Sequence, residues 1–212
     1  MNKVWIILLG VIGFLIVSVL LLGLSAVGTY NGLVGRQQGV NAAWAQVLNQ
    51  YQRRSDLVPN LVKTVEGSAS FEKSTLETVV NARASVGRVT IDASKAPDDA
   101  ATLQKFQVAQ GQFSSALQRL LVVSENYPDL KASAGFRDLQ AQLEGTENRI
   151  AVERGRFNEA VMTYNTSIRT FPAVLLAGAL GFIEKPYFQS DAEAEKAPAV
   201  KFDFGGTSAP AK

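Results

Sequence analysis

From Val4 to Val27 the chain reads VWIILLGVIGFLIVSVLLLGLSAV, about 24 residues without a charge. A bilayer's hydrocarbon core is roughly 30 Å thick, and about 20 apolar residues of helix cross it. In lipid the backbone N–H and C=O groups must be satisfied inside the segment, so this stretch is expected to be an α-helix. Everything after it is then a domain tethered to a membrane anchor at residues 1–29. A competing reading starts from Lys3 and the small residues Ala26-Val27-Gly28, which suit signal-peptide cleavage and would release a secreted domain. Signal-peptide apolar regions run about 7–15 residues, well short of this one, so an uncleaved single-pass anchor is the expectation. Lys3 precedes the run and Arg36 is the first charge beyond it. With the α-amino group beside Lys3, the positive-inside rule favours, by one charge, a cytoplasmic N-terminus and a domain on the outer face.

The rest of the 212-residue chain is long enough for one domain with a real core. Its charges nearly cancel, 21 Lys plus Arg against 19 Asp plus Glu over the whole chain, and no basic cluster forms. Nucleic acid is therefore not an expected partner. There is no Cys and no His. That removes thiolate and imidazole zinc sites, histidine-ligated haem and iron–sulfur clusters, as well as Ser-His-Asp and Cys-His catalysis. The acidic residues are too scattered to announce a carboxylate metal site, and no glycine-rich nucleotide loop is present. No cofactor is expected.

Helical periodicity dominates the chain beyond the anchor. Leu33, Val40, Trp44, Val47 and Tyr51 fall on one helix face, and the anchor can run straight into this helix as a stalk. Gly28, Gly32, Gly35 and Gly39 form a stripe along it. Each costs about 1 kcal/mol relative to Ala, which asks for a reason: close helix–helix association, or a hinge at the membrane surface. Ser55-Asp56-Leu57-Val58-Pro59 reads as the first break, with Asp56 capping a second helix from Leu57 to about Val89 that Gly67 can bend. After a loop through Pro97, Asp98 or Asp99 can cap a third helix. Its heptad-like seam is Leu103, Phe106, Gln110, Phe113, Leu117, Leu120 and Ser124, as in a coiled coil. Pro128 opens a fourth, about 40 residues long, with Phe136, Leu139, Leu143, Thr146, Ile150, Phe157, Val161, Tyr164, Ile168 and Phe171 on one face. The expected fold is all-α: a transmembrane helix, then an antiparallel up-and-down four-helix bundle of long helices over residues 30–172.

An even number of helices returns Phe171 towards the bilayer. Residues 173–183 are apolar but too short to span, so they either cap the bundle beside the membrane or lie in the interface, the plainer alternative being a helix folded over the core. Residues 184–212 have the composition of a mostly disordered tail, interrupted by the alternating island Val200–Phe204.

The candidate functional residues are polar. Arg53, Arg54, Asp56 and Asn60 surround the expected first break, and Gln140, Glu144, Glu147, Asn148 and Arg149 run beside the apolar face of the fourth helix, with Arg154, Asn158 and Asn165 beyond them. Glu144 and Glu147 can be read as a carboxylate acid–base pair of a membrane-tethered hydrolase. The favoured reading is a hydrogen-bonded network that joins helices and fixes their register. No catalytic residue is assigned.

These residues also carry a resemblance. Tyr30-Asn31-x-Leu33-Val34, Ala43-Trp44-Ala45-Gln46-Val47 and the run Gln52-Arg53-Arg54-Ser55-Asp56-Leu57-Val58-Pro59-Asn60-Leu61-Val62 resemble the LemA family. So do Glu125-Asn126-Tyr127-Pro128, Leu139-Gln140-x-x-Leu143-Glu144-x-Thr146-Glu147-Asn148-Arg149-Ile150, Phe157-Asn158, Tyr164-Asn165, Phe171-Pro172 and Tyr187-Phe188. Members commonly have an aromatic residue where Ser55 stands and His-Glu where Phe71-Glu72 stands. The resemblance implies a bacterial inner-membrane protein with an antiparallel four-helix domain, and supplies no enzyme activity. With the anchor and the glycine stripe, it makes a self-associating scaffold that recruits an unknown protein the leading functional expectation.

Overall fold

The computed structural model describes residues 3–67, 71–89 and 91–189. Helix α1 is a single element, Lys3–Glu66, 64 residues long. It carries the apolar run out of the membrane-sized segment and through Gly28, Gly32, Gly35 and Gly39 without interruption. Along the described part of the run the large side chains face outward, as for Ile16, Leu20 and Leu22, so no described residue covers this surface.

Pro59 does not break α1, contrary to the sequence expectation, and Asp56 is not a cap. A proline removes the N–H that would bond the carbonyl four residues earlier. Here that carbonyl, on Ser55, accepts from Arg83 Nε at 3.1 Å, and Arg83 also donates to Ser55 Oγ at 3.1 Å. Asp56 instead accepts from Gln52 one turn earlier, at 2.7 Å. The break falls at Gly67, so the expected second helix is divided: its first third completes α1 and the remainder is α2, Lys73–Gly87.

Helix α3 is Ala100–Ser124, capped by Asp99, whose carboxylate accepts from the backbone N–H of Ala101 and Thr102 at 3.0 and 2.8 Å. Every residue of its expected seam is buried, Gln110 and Ser124 included. The long fourth helix is interrupted once. Pro128 begins a single turn and a half, α4 (Pro128–Ala132), and Ser133 then caps α5, Ala134–Arg169. The expected core face of α5 is buried from Phe136 to Ile168. Phe171, placed on that face by periodicity, lies past the helix end and is 80% exposed.

The helices alternate in direction. Trp44 faces Phe157 and Arg54 faces Glu147, which sets α5 antiparallel to α1, while Tyr51 against Phe106 and Arg54 against Ser114 set α3 parallel to α1. The first descending leg, which contains α2, is helix only in its upper half. Below Gly87 it continues as a loop, pinned where Trp44 Nε1 donates to Asp92 O (3.3 Å) and Asn41 Oδ1 accepts from Ala96 N (3.1 Å). The core divides accordingly. A distal block joins Val58, Leu61, Val65, Leu76, Val79, Phe113 and Phe136 with their neighbours. A block nearer the apolar run is built on Trp44, Phe106, Phe157 and Phe188, whose rings meet at 5.3–5.9 Å.

After α5, residues 171–183 form no α-helix, so the folded-back helix is ruled out for this segment. A 3-10 turn, Ala173–Leu175, and successive turns carry Ala173, Ala177 and Phe182 into the core. Residues 184–189 then run extended up the side of α5. The docked chain thus reaches six residues into the stretch that composition assigns to the tail; Val200–Phe204 lies outside the described residues.

Candidate functional site

Between the two core blocks lies a polar layer centred on Arg54, whose side chain is 1% exposed. Its Nη1 donates to Glu147 Oε1 and to Ser114 Oγ, each at 2.5 Å, and its Nη2 donates to the Gln110 side-chain oxygen at 2.5 Å. The guanidinium lies between the rings of Tyr51 (5.2 Å) and Phe113 (4.8 Å), a cation–π sandwich that compensates for lost water. Its Nε is buried with no acceptor among the described residues. One arginine fork thereby ties α1, α3 and α5 at a single height, because a planar donor set can serve three acceptors that a lysine could not reach together. Glu147 is 41% exposed and lines, with Arg154, Gln107 and Gln118, an open groove of about 710 Å³ between α3 and α5.

The other residues singled out from sequence do not converge here. Arg53, Asp56 and Asn60 are exposed on α1, as are Glu144, Asn148 and Arg149 on α5. Gln140 donates to Glu144 at 3.0 Å, a surface i,i+4 contact. Glu144 and Glu147 border one shallow groove with Ser114, but Glu147 is committed to Arg54. Ser114 escapes sequence reading because it lies beside the seam, whereas Gln110, a polar residue within an apolar seam, was a usable signal.

A second polar arrangement secures the extended segment. Asn165 Nδ2 donates to Lys185 O, and Asn165 Oδ1 accepts from Lys185 N, both at 2.9 Å. Asn158 repeats the pair with Phe188, at 3.0 and 2.8 Å. Seven residues of helix rise about 10.5 Å and three residues of extended chain about 10 Å, so the two asparagines match the spacing of the segment they hold. Gln107 and Arg154 both donate to Gln189 O, at 3.1 and 3.0 Å, and Arg154 also covers the Phe188 ring at 4.8 Å. Lys185 is buried, with its ammonium on Ala96 O (3.2 Å) and on the Asp98 carboxylate, which Lys95 also pairs. Burial works to raise the Asp98 carboxyl's pKa, but its hydrogen bonds to Lys185 and Lys95 outweigh that and hold it below the ordinary carboxylate value. Desolvation, with Asp98 nearby, pushes Tyr164 upward.

The glycine stripe has no partner among the described residues. A Cβ at Gly28, Gly35 or Gly39 would meet nothing within 4 Å, and at Gly32 only the Arg36 side chain at 3.8 Å.

Known proteins are similar to this chain in sequence. Magnetosome protein MamQ of Magnetospirillum gryphiswaldense is 26% identical over 178 residues, covering 75% of this chain and 64% of its own. Magnetosome protein MamQ 2 of Paramagnetospirillum magneticum is 28% identical over 179 residues, covering 76% and 64%. Protein LemA of Metamycoplasma hominis is 23% identical over 164 residues, covering 77% and 70%. The chain thus spans less than two thirds of the MamQ proteins' length, and none of these names is that of an enzyme. The LemA family model matches residues 43–202, from Ala43 on α1 through the Arg54 layer and the asparagine-held segment. That match takes in most of the chain, which belongs to the LemA family.

Proposed function

We propose that this protein is a non-enzymatic, membrane-anchored interaction protein. In this reading it crosses the bacterial inner membrane once, holds its helical bundle on the outer face, and self-associates to recruit a further protein there. The observation that carries the reading is the continuity of α1, in which one helix is both the membrane-sized apolar segment and the central element of the bundle core. The bundle is then a rigid extension of the anchor, which suits presentation of a surface. The carboxylates that could have served catalysis are spent otherwise, Glu147 on the Arg54 fork and Glu144 on Gln140. The open glycine stripe just beyond the apolar run supports self-association, since side-chain-free surfaces let two helices approach closely. Chemical crosslinking in native membranes, read by mass spectrometry, tests the proposal. Self-crosslinks between α1 residues near Gly35 and a reproducible partner are expected; the absence of both would sink it.

A further inference from the structure

The stretch Thr170–Ile183 contains no charged side chain. While Ala173, Ala177 and Phe182 fill the core, the opposite side of the same loop presents Phe171, Val174, Leu175, Leu180 and Ile183 to the outside, Phe171 at 80% and Leu175 at 71% exposure. Elsewhere on the described domain, exposed large apolar residues such as Val80, Val108, Val122 and Val152 lie one at a time along their helices. Scattered single residues need no explanation, but a contiguous apolar patch marks a contact surface.

Its height on the molecule names the occupant. Phe182 packs edge-on against Tyr30 of α1, ring centres 5.8 Å apart. Tyr30 stands three residues past the end of the apolar run, about 4.5 Å of helix rise, where an amphipathic aromatic ring suits the headgroup level. Polarity changes abruptly at both ends of the loop, where Arg169 and Glu184 pair at 2.6 Å across its base and stay exposed. We propose that residues 171–183 insert into the interface of the bilayer that α1 crosses, giving the domain a second membrane contact beside its anchor. The loop has no Lys or Arg, so the recognised chemistry is the apolar acyl boundary of the lipid and not an anionic headgroup. The proposal rests on the reading that Val4–Val27 spans the bilayer.

The absence of cysteine makes single-site labelling of the full chain clean. An environment-sensitive fluorophore is attached in turn to Leu175→Cys, Ile16→Cys and Val122→Cys, and each protein is reconstituted in phosphatidylcholine vesicles with plain or brominated acyl chains. Brominated lipid is expected to quench emission at positions 16 and 175 but not at 122, and iodide to quench at 122 but not at 175. Quenching by lipid at 16 without quenching at 175, together with iodide access at 175 equal to that at 122, would overturn the loop proposal and leave the anchor standing. Loss of lipid quenching at 16 would overturn both. Iodide shielding at 175 without lipid quenching would mean that protein covers the loop, which also overturns the proposal.

Discussion

At the scale of single residues, the layer at Arg54 sets one carboxylate apart from its neighbour. Glu147→Gln keeps an oxygen acceptor but leaves a guanidinium that is 1% exposed without a counter-charge. A loss of about 1–3 kcal/mol in unfolding free energy is expected, by denaturant titration followed by circular dichroism. Glu144→Gln, on an exposed surface contact, should stay within about 0.5 kcal/mol. A catalytic pair would behave in the opposite way, with stability unchanged and the cellular phenotype lost in both variants. Sequence reading found Arg54 and Glu147 separately, since each is a polar residue beside an apolar stripe. It could not join them, because which turn of α5 faces which turn of α1 depends on where the helices break.

At the scale of elements, Pro59 shows why those breaks were misplaced. The residue signal was sound, but its cost falls on the Ser55 carbonyl, and the donor that satisfies it comes from Arg83, 28 residues away on another helix. A thermodynamic cycle exposes this. Arg83→Ala should cost about 1 kcal/mol with Pro59 present and markedly less after Pro59→Ala, which restores an N–H to the Ser55 carbonyl. Unequal costs in the two backgrounds are the expected outcome, and equal costs would refute the account. The α3 seam, by contrast, was fully legible, because a periodic apolar face with an Asp cap needs no distant partner. The asparagine-held segment was not. Composition marks residues 184–189 as tail, and only the matched spacing of Asn158 and Asn165 docks it against α5. Hydrogen exchange should show it: Asn165→Ala is expected to speed exchange of the Lys185 amide, and Asn158→Ala that of the Phe188 amide, by about tenfold for each 1.4 kcal/mol lost. Acid should loosen the same segment. The Asp98 carboxyl is held below its ordinary value of 3.8, so the unfolded chain takes up the proton more readily than the folded one. The contribution is therefore fully present above that value and is lost as pH falls through the lower folded-state value. Lys185 amide protection should decline only there, and be flat between pH 5 and 8.

At the scale of the whole molecule, the glycine stripe separates folding from association. Since a Cβ at Gly35 would meet nothing within 4 Å, Gly35→Leu should leave the monomer as stable as before or up to about 1 kcal/mol more stable by helix propensity. If α1 pairs along the stripe, the same variant should abolish the self-crosslinks; crosslinks that persist unchanged would remove the stripe from any interface.

The unbroken α1 also has a mechanical side. If the apolar run is the anchor proposed above, no joint separates it from the bundle, and a lean of the anchor becomes a lean of everything above it. Transmembrane helices tilt by about 20° on average, and some 38 residues of helix above Gly28 make an arm of about 57 Å, so the far tip swings sideways by roughly 20 Å. The loop at residues 171–183 stands to one side of that arm like a foot beside a mast. A foot resting on the lipid surface would convert bilayer thickness into a fixed angle, and the membrane itself would set where the tip points.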